Sequence, residues 1–263
     1  TPDEFWKQLQ QSLTLLKTDY IDIYQFHCAS QVYKPHDGTG MYECMLEAKK
    51  QGKIKHIGIT AHQLQVALDA VDSKLYETIQ FPFSYLSSDK ELELVQKSQK
   101  AHMGFIAMKG LAGGLINQSK PAMAYMSQFD NVLPIWGIQK ESELDEWLSY
   151  MQDTPVFNDE MKEFIEKEKE ELSGDFCRGC GYCMPCPVGI MINQCARMSL
   201  MLRRAPSKSW LTPEMQEEMK KIENCLHCGQ CSRKCPYELD TPALLQKNYE
   251  DYQKVLSGEV KVQ

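Results

Sequence analysis

The chain has 263 residues, 43% hydrophobic, 25% charged and 10% aromatic, a profile that supports a sizeable buried core and excludes disordered, collagen-like and coiled-coil classes. Lys and Arg (29) against Asp and Glu (36) leave a net charge of −7, which argues against nucleic acid as the main partner and leaves nucleotides open. No apolar run is long enough to span a bilayer and Thr1-Pro2-Asp3-Glu4 lacks the basic start of a signal peptide, so no membrane partner is expected and the cytoplasm is the expected location.

Thr1 and Glu4 have capping-box spacing, Pro2 stands at the first helical position, and Phe5, Leu9, Leu13 and Leu16 recur at helical spacing, so the chain opens on a helix. A strand is predicted over 20–27, then a helix over 41–51, a strand over 54–60, a helix over 63–71, a strand over 78–84 and a helix over 89–102. A strand over 104–109 leads into a glycine-bearing loop over 110–114, followed by a short helix over 121–126, a strand over 132–136 and a helix over 141–151. This alternation indicates βα units and a parallel sheet, and the apolar density of the strands predicts burial on both faces, as in an α/β barrel or a doubly wound sheet. Gly110-Leu111-Ala112-Gly113-Gly114 has the wrong spacing for a G-x-G-x-x-G loop, which weakens the doubly wound alternative. Residues 158–172 read as an exposed charged helix, and the domain boundary falls near Gly174. The expected division is 1–155, a linker helix over 156–174, and a cysteine-rich domain over 175–263.

Of 11 cysteines, eight fall in two tight groups: Cys177, Cys180, Cys183 and Cys186, then Cys225, Cys228, Cys231 and Cys235. A disulfide scaffold would be short and would spread its cysteines along the chain, so the groups read as metal ligands. Soft anionic thiolates suit iron, and a C-x2-C-x2-C turn holds three corners of one [4Fe-4S] cube while backbone N–H groups point at the sulfurs. In the second group a fourth Cys follows three residues later and precedes Pro236, the bacterial ferredoxin spacing in which the fourth thiolate serves the other cluster. One cluster then takes Cys177, Cys180, Cys183 and Cys235, and the other takes Cys225, Cys228, Cys231 and Cys186. Two zinc sites are the alternative; zinc knuckles pair their ligands across a longer loop, so this spacing favours iron. Helices are predicted over 192–202 and, with Thr212 as cap, over 213–223, making an α-helical ferredoxin the expected fold of this part.

Residues 16–27 (Leu-Lys-Thr-Asp-Tyr-Ile-Asp-Ile-Tyr-Gln-Phe-His) and 48–60 (Ala-Lys-Lys-Gln-Gly-Lys-Ile-Lys-His-Ile-Gly-Ile-Thr) resemble the aldo-keto reductase superfamily, and the run from Cys177 to Pro187 resembles its subgroup with a C-terminal ferredoxin domain. The resemblance implies a TIM barrel that binds NADP or NAD and passes hydride to a carbonyl. It implies cofactor contacts at Thr60, Gln80, Met108, Gly113, Gly114 and Gly137. Thr60-Ala61-His62 replaces the family's Ser-Asn, and Met108 stands where a stacking Tyr is frequent; a thioether packs on a ring without stacking like one. Of the family's catalytic Asp, Tyr, Lys and His, only the His maps here, as His27. The other three belong to the first three βα units, so the chain corresponds to the last five units of a partial barrel. Its completion is expected from an upstream segment or from a partner that covers the open edges.

His27 shares a strand face with Ile21, Ile23 and Gln25, which aims it into the barrel at the C-terminal rim, where a ring N–H can bond a substrate carbonyl oxygen. A strand-end His is more often structural, and the resemblance is what lifts this one. His36, His56, His62 and His102 have no such support. Cys195, Cys28 and Cys44 read as packed thiols, Lys109 as facing solvent rather than an anion, and Arg197, Arg203, Arg204 and Lys208 as a solvated helix face. The leading expectation is an NAD(P)H-linked oxidoreductase with two [4Fe-4S] clusters, a small-molecule carbonyl or redox substrate and an electron-transfer protein as partner. A non-catalytic electron-transfer module on a barrel remnant is the alternative, and clusters acting as structural staples are a third reading.

Overall fold

Thr1 caps the first helix, α1 (Pro2–Leu16): its hydroxyl oxygen accepts from the Glu4 N–H at 3.3 Å, and Pro2 stands in the first turn, as the capping spacing predicts. The computed structural model describes residues 1–172, 176–204 and 207–262; Gly174, where the boundary is expected, lies outside them. Two units separate by their internal packing, Thr1–Gly110 with Met123–Phe157 and Leu111–Ala122 with Asn158–Gln263.

In the first unit the alternation runs β1 (Ile21–Phe26), α2 (Met41–Lys50), β2 (Ile54–Thr60), α3 (Leu64–Ser73), β3 (Thr78–Pro82), α4 (Asp89–Lys100) and β4 (Gly104–Met108). After α5 (Ser119–Met126), whose end belongs to this unit, come β5 (Val132–Pro134) and α6 (Glu141–Gln152). The strands pair in parallel in the order β1-β2-β3-β4-β5, which is an arc of an α/β barrel. The last strand stops at Pro134 rather than residue 136, although the Ile135 N–H still bonds the Ala107 carbonyl at 3.0 Å.

Register explains where the core sits. Phe26, Ile59, Ile79 and Phe105 form one row across the sheet and are all buried. Against that face pack Phe5, Leu9 and Leu13 of α1, Tyr42, Met45 and Ala48 of α2, Val66, Ala67 and Ala70 of α3, and Leu94 and Val95 of α4. The alternate row, Thr60, Gln80, Ile106 and Leu133, lies on the opposite face. There Leu133 is 63% and Ile23 40% exposed. The expectation of strands buried on both faces is therefore corrected: the apolar density reflects one helix-covered face plus an opposite face that keeps branched side chains in the open, since both edges of the arc end there.

The second unit contains α7 (Asp159–Glu171), α8 (Ile192–Cys195), α9 (Met198–Arg204), α10 (Pro213–Lys220), α11 (Gln230–Arg233) and α12 (Thr241–Leu256), with 3-10 turns at Ser207–Ser209 and Lys221–Asn224. The single helix predicted over 192–202 is broken into α8 and α9, and the one over 213–223 tightens into a 3-10 turn after Lys220. Helix α12, for which the sequence reading assigns no element, is capped by Asp240, whose carboxylate accepts from the Ala243 N–H at 3.2 Å. Its buried face carries Leu245, Asn248, Tyr252 and Val255. Helix α7 is not merely an exposed linker: Ile165 and Glu168 are buried, and Arg204 holds Glu168 with two bonds of 2.7 and 2.9 Å.

Gly58 shows how tightly the first two strand crossings are fitted. Gln25 reaches over it to the Thr78 hydroxyl at 3.5 Å, and a Cβ at Gly58 would lie 2.2 Å from that hydroxyl and 2.8 Å from the Gln25 side chain. Gly58→Ala is expected to lower stability by about 1–3 kcal/mol through overpacking. Denaturant unfolding checks this, and a midpoint equal to that of the unsubstituted chain would show that Gln25 simply swings aside.

Candidate functional site

The two cysteine groups lie within one unit and line two cavities. One, of about 380 Å³, is bordered by Cys225, Cys228 and Cys231 together with Cys186. The other, of about 320 Å³, is bordered by Cys177, Cys180 and Cys183 together with Cys235. Ile192 borders both. Each cavity thus gathers three thiols from one turn and a fourth from the other group, the combination that the spacing predicts.

Local backbone makes the gathering feasible. Gly179 and Gly181 adopt left-handed conformations in the first group, as do His227 and Gly229 in the second, so each turn curls its peptide groups toward its sulfurs; the Gly179 N–H donates to Cys177 Sγ at 3.4 Å. Burial pushes the Cys183 thiol up to about 12 and raises that of Cys177. Thiolates are therefore disfavoured here unless a cationic load offsets their burial. The crossed donor set and the N–H to sulfur contact fit a polynuclear iron–sulfur group.

Cys195 is fully buried and its thiol is raised to about 12 by burial, then by the charge of Glu218, in keeping with a packed thiol. Cys44 is buried and Cys28 half-buried. The basic residues of this unit depart from the solvated face expected of them. Arg203 forms two bonds of 2.6 and 2.8 Å to Asp251, Arg204 pairs with Glu168 and Glu171 and donates to the Leu115 carbonyl at 2.9 Å, and Arg197 donates to the Gly113 carbonyl at 2.7 Å. Arg203 and Lys208 are exposed, and Arg197 and Arg204 are half-buried. The signal was present, since Arg197 and Arg204 stand seven positions apart, one helical face, and flank buried Met198, Met201 and Leu202.

In the first unit the strand-end residues gather differently. His27 follows the last residue of β1 in an exposed turn; the chain then folds across Thr60, whose Oγ1 accepts from the Cys28 N–H at 2.6 Å while its carbonyl accepts from Ala29 at 2.8 Å. The Thr60 hydroxyl proton can still be donated. Gln80 and Met108 are half-buried neighbours, amide nitrogen to sulfur 3.6 Å. Gly137 borders open space in this unit. Gly113 and Gly114 belong to the other unit: Gly113 faces Arg197, and Gly114 borders open space.

Two residues missed by the sequence reading join this rim. His62 is half-buried after β2 and is pushed down to about 4, first by burial, then by the charges of Lys109 and His27. Lys109, at the end of β4 with φ 57°, is half-buried rather than solvated, because its left-handed turn brings it toward His62. No spacing rule links these residues; the parallel register alone assembles them.

Two family models match the chain. The model of the "Aldo/keto reductase family" matches residues 1–153, and that of the "4Fe-4S dicluster domain" matches residues 176–240. "Uncharacterized oxidoreductase YqkF" of Bacillus subtilis is 30% identical over 125 residues, 47% of this chain and 39% of that protein, so the match spans well under two thirds of that relative. The apo form of aldo-keto reductase AKR11C1 from Bacillus halodurans superposes with a TM-score of 0.54 at 21% identity, covering 64% of this chain and 68% of that one. Its holo form gives 0.52 at 21% identity, covering 62% and 65%. These are likenesses of fold. Among the described residues no helix is long and apolar enough to cross a membrane.

The burial of His62 has a pH consequence. Its folded value near 4 lies below the ordinary 6.5, so the folded chain binds fewer protons between these values; the stability it contributes is present above about 6.5 and is lost as pH falls toward 4. Ring-proton NMR should show His62 titrating near 4 in the intact chain and at higher pH in Lys109→Met. A midpoint at 6.5, unmoved by the substitution, would contradict the burial of this ring.

Proposed function

Because the chain belongs to the aldo/keto reductase family and carries a 4Fe-4S dicluster domain, we propose that it acts as an NAD(P)H-linked oxidoreductase with two [4Fe-4S] clusters, reducing a carbonyl or a related small redox substrate. The observation that carries this reading is the pair of cavities in which each turn of three thiols is completed by the fourth thiol of the other. Cys177, Cys180, Cys183 and Cys235 would hold one cluster, and Cys225, Cys228, Cys231 and Cys186 the other. Such clusters supply one-electron carriers whose potentials follow charge, hydrogen bonds to sulfur and exposure.

A nicotinamide cofactor supplies hydride. Toward it, Thr60 has a hydroxyl proton to donate, the Gln80 side chain has its carbonyl oxygen to offer a carboxamide, and the Met108 thioether provides a soft apolar surface. Gly137, with open space where a side chain would stand, leaves room for close backbone approach. His27, exposed at the strand end, is the group to hydrogen-bond a substrate carbonyl oxygen as charge develops there. His62, neutral at neutral pH, can accept or donate beside it, and Lys109 supplies positive charge that suits an anionic substrate group. Free thiols and oxygen-sensitive clusters suit the reducing cytoplasm, and an electron-transfer protein is the natural partner for the clusters.

The electron-transfer module is the second reading, favoured by the match of the 4Fe-4S dicluster domain to residues 176–240. Anaerobic chain with its clusters, mixed with NADPH or NADH and a panel of aldehydes and quinones, separates the two. Nucleotide oxidation that depends on the acceptor and falls at least about tenfold in His27→Ala supports the reductase; bleaching by dithionite without nucleotide binding supports the module.

The ligand assignment has its own test. Wild-type chain should hold about eight irons. Cys177→Ala with Cys235→Ala should retain about four irons, both losses falling on one cluster, whereas Cys225→Ala with Cys235→Ala should lose both clusters. The reverse pattern would show that each group serves its own cluster.

A further inference from the structure

Arg197 occupies a slot between two turns of the second unit. On one side Gly113, φ 68°, offers its carbonyl to Nη1 at 2.7 Å; on the other lies Gly179, φ 66°, in the turn between Cys177 and Cys180. A Cβ at Gly113 would stand 2.9 Å from Nη1 and one at Gly179 2.8 Å from it and 3.0 Å from Cζ, so the guanidinium lies flat against Gly179 only because that side is bare. The backbone beside Arg197 is fixed by Asn248, itself 5% exposed: it accepts from the Ser199 N–H at 2.8 Å and donates to the Ala196 carbonyl at 3.1 Å.

One donor of this side chain is left over. Arg197 Nε is buried and has no hydrogen-bond partner, a cost that protein interiors seldom leave uncompensated.

We propose that Arg197 is a positioning residue for the cluster held by Cys177, Cys180, Cys183 and Cys235, its half-buried charge and buried, spare Nε–H raising that cluster's reduction potential above that of its neighbour. A thiolate-bound cube grows more negative when it gains an electron, so a nearby buried cation and an N–H donor to sulfur favour the reduced form. The second turn carries a related arginine, and the contrast between them sets the direction. Arg233 donates to the Cys228 carbonyl at 3.0 Å and would stand 3.2 Å from a Cβ on Gly229, but its side chain is exposed, where water and salt screen it. Arg178, held between the rings of Phe176 and Tyr237 at 4.9 and 4.3 Å, biases the first cluster the same way. Electrons entering beside exposed Cys228 therefore run downhill toward the cluster beside Arg197.

The inference rests on the reading that both clusters bind, and iron and sulfide content of the wild-type chain tests that reading separately. Given two clusters, an anaerobic redox titration followed by electron paramagnetic resonance compares wild type, Arg197→Met and Arg233→Met. In Arg197→Met the reduced-to-oxidised ratio of one cluster at fixed solution potential should fall about tenfold, equal to 59 mV for a one-electron couple, with the other cluster unmoved. Arg233→Met should leave that cluster at its wild-type potential. Should Arg197→Met fail to retain both clusters, Arg197→Lys decides: keeping the charge without the Nε–H, it should move the same cluster in the same direction by less. Unchanged potentials in the variant that retains its clusters, or an equal shift of both, would overturn the proposal.

Discussion

The second unit depends on one constraint: each thiol turn is completed by a cysteine from the far group, so neither cavity closes without bringing both ends of the domain together. The short helices beside the turns cannot do this alone. Both α8 and α11 have four residues, too few to hold a helix without tertiary support, and the turns run through left-handed backbone. Burial of Ile190, Ile192, Met198, Leu202, Met219, Ile222, Leu245 and Tyr252 supplies a core between the groups. Ligation across the groups would add the closure of the long helical insert, where a crosslink removes most chain entropy.

What could be read from the sequence was whatever rests on local pattern. The period of apolar residues locates the helices and strands of the first unit to within a few positions, because amphipathic helices and parallel strands announce themselves within a short window. The cysteine spacing groups the thiols that line the same cavities, since three thiols per turn is a local property. What escaped rests on register or on distant packing. His62 and Lys109 meet only because β2, β3 and β4 are parallel and aligned. The arginines looked solvated because the acceptors of Arg197 and Arg204, the carbonyls of Gly113 and Leu115, are backbone groups with no sequence signature. The exposed row of the sheet escaped for a related reason: composition counts apolar residues and does not say which face they occupy.

Those arginines change how the basic residues of the insert are understood. Arg203 and Arg204 are committed to carboxylates, Arg204 at a site where its own side chain is 9% and that of Glu168 11% exposed. A pair so buried tolerates loss of neither member, because the survivor would be left as an uncompensated charge. They therefore serve to hold α7 and α12 against α9. Arg197 differs in having no carboxylate partner among the described residues, its bond going to a neutral carbonyl. A half-buried cation with an unpaired buried Nε–H becomes reasonable beside a group that carries net negative charge.

The same charge logic bears on the proposed chemistry. Hydride moves two electrons together whereas a cubane accepts one at a time, and the first unit presents no converter between them that the sequence reveals. Two clusters of the unequal potential proposed above, the lower one near the surface and the higher one beside half-buried Arg197, would form a directed path in which each electron has a preferred resting place. Such a path serves a reductase fed by a protein donor and a pure carrier equally well. The distinction then lies wholly in the first unit, where Thr60, Gln80 and Met108 meet on the open face of the sheet. A carrier has no need for a half-buried lysine beside a histidine that burial keeps neutral. Positive charge and a neutral ring at the C-terminal rim of parallel strands are what a site for a polarised oxygen requires, which is the physical reason for preferring the reductase.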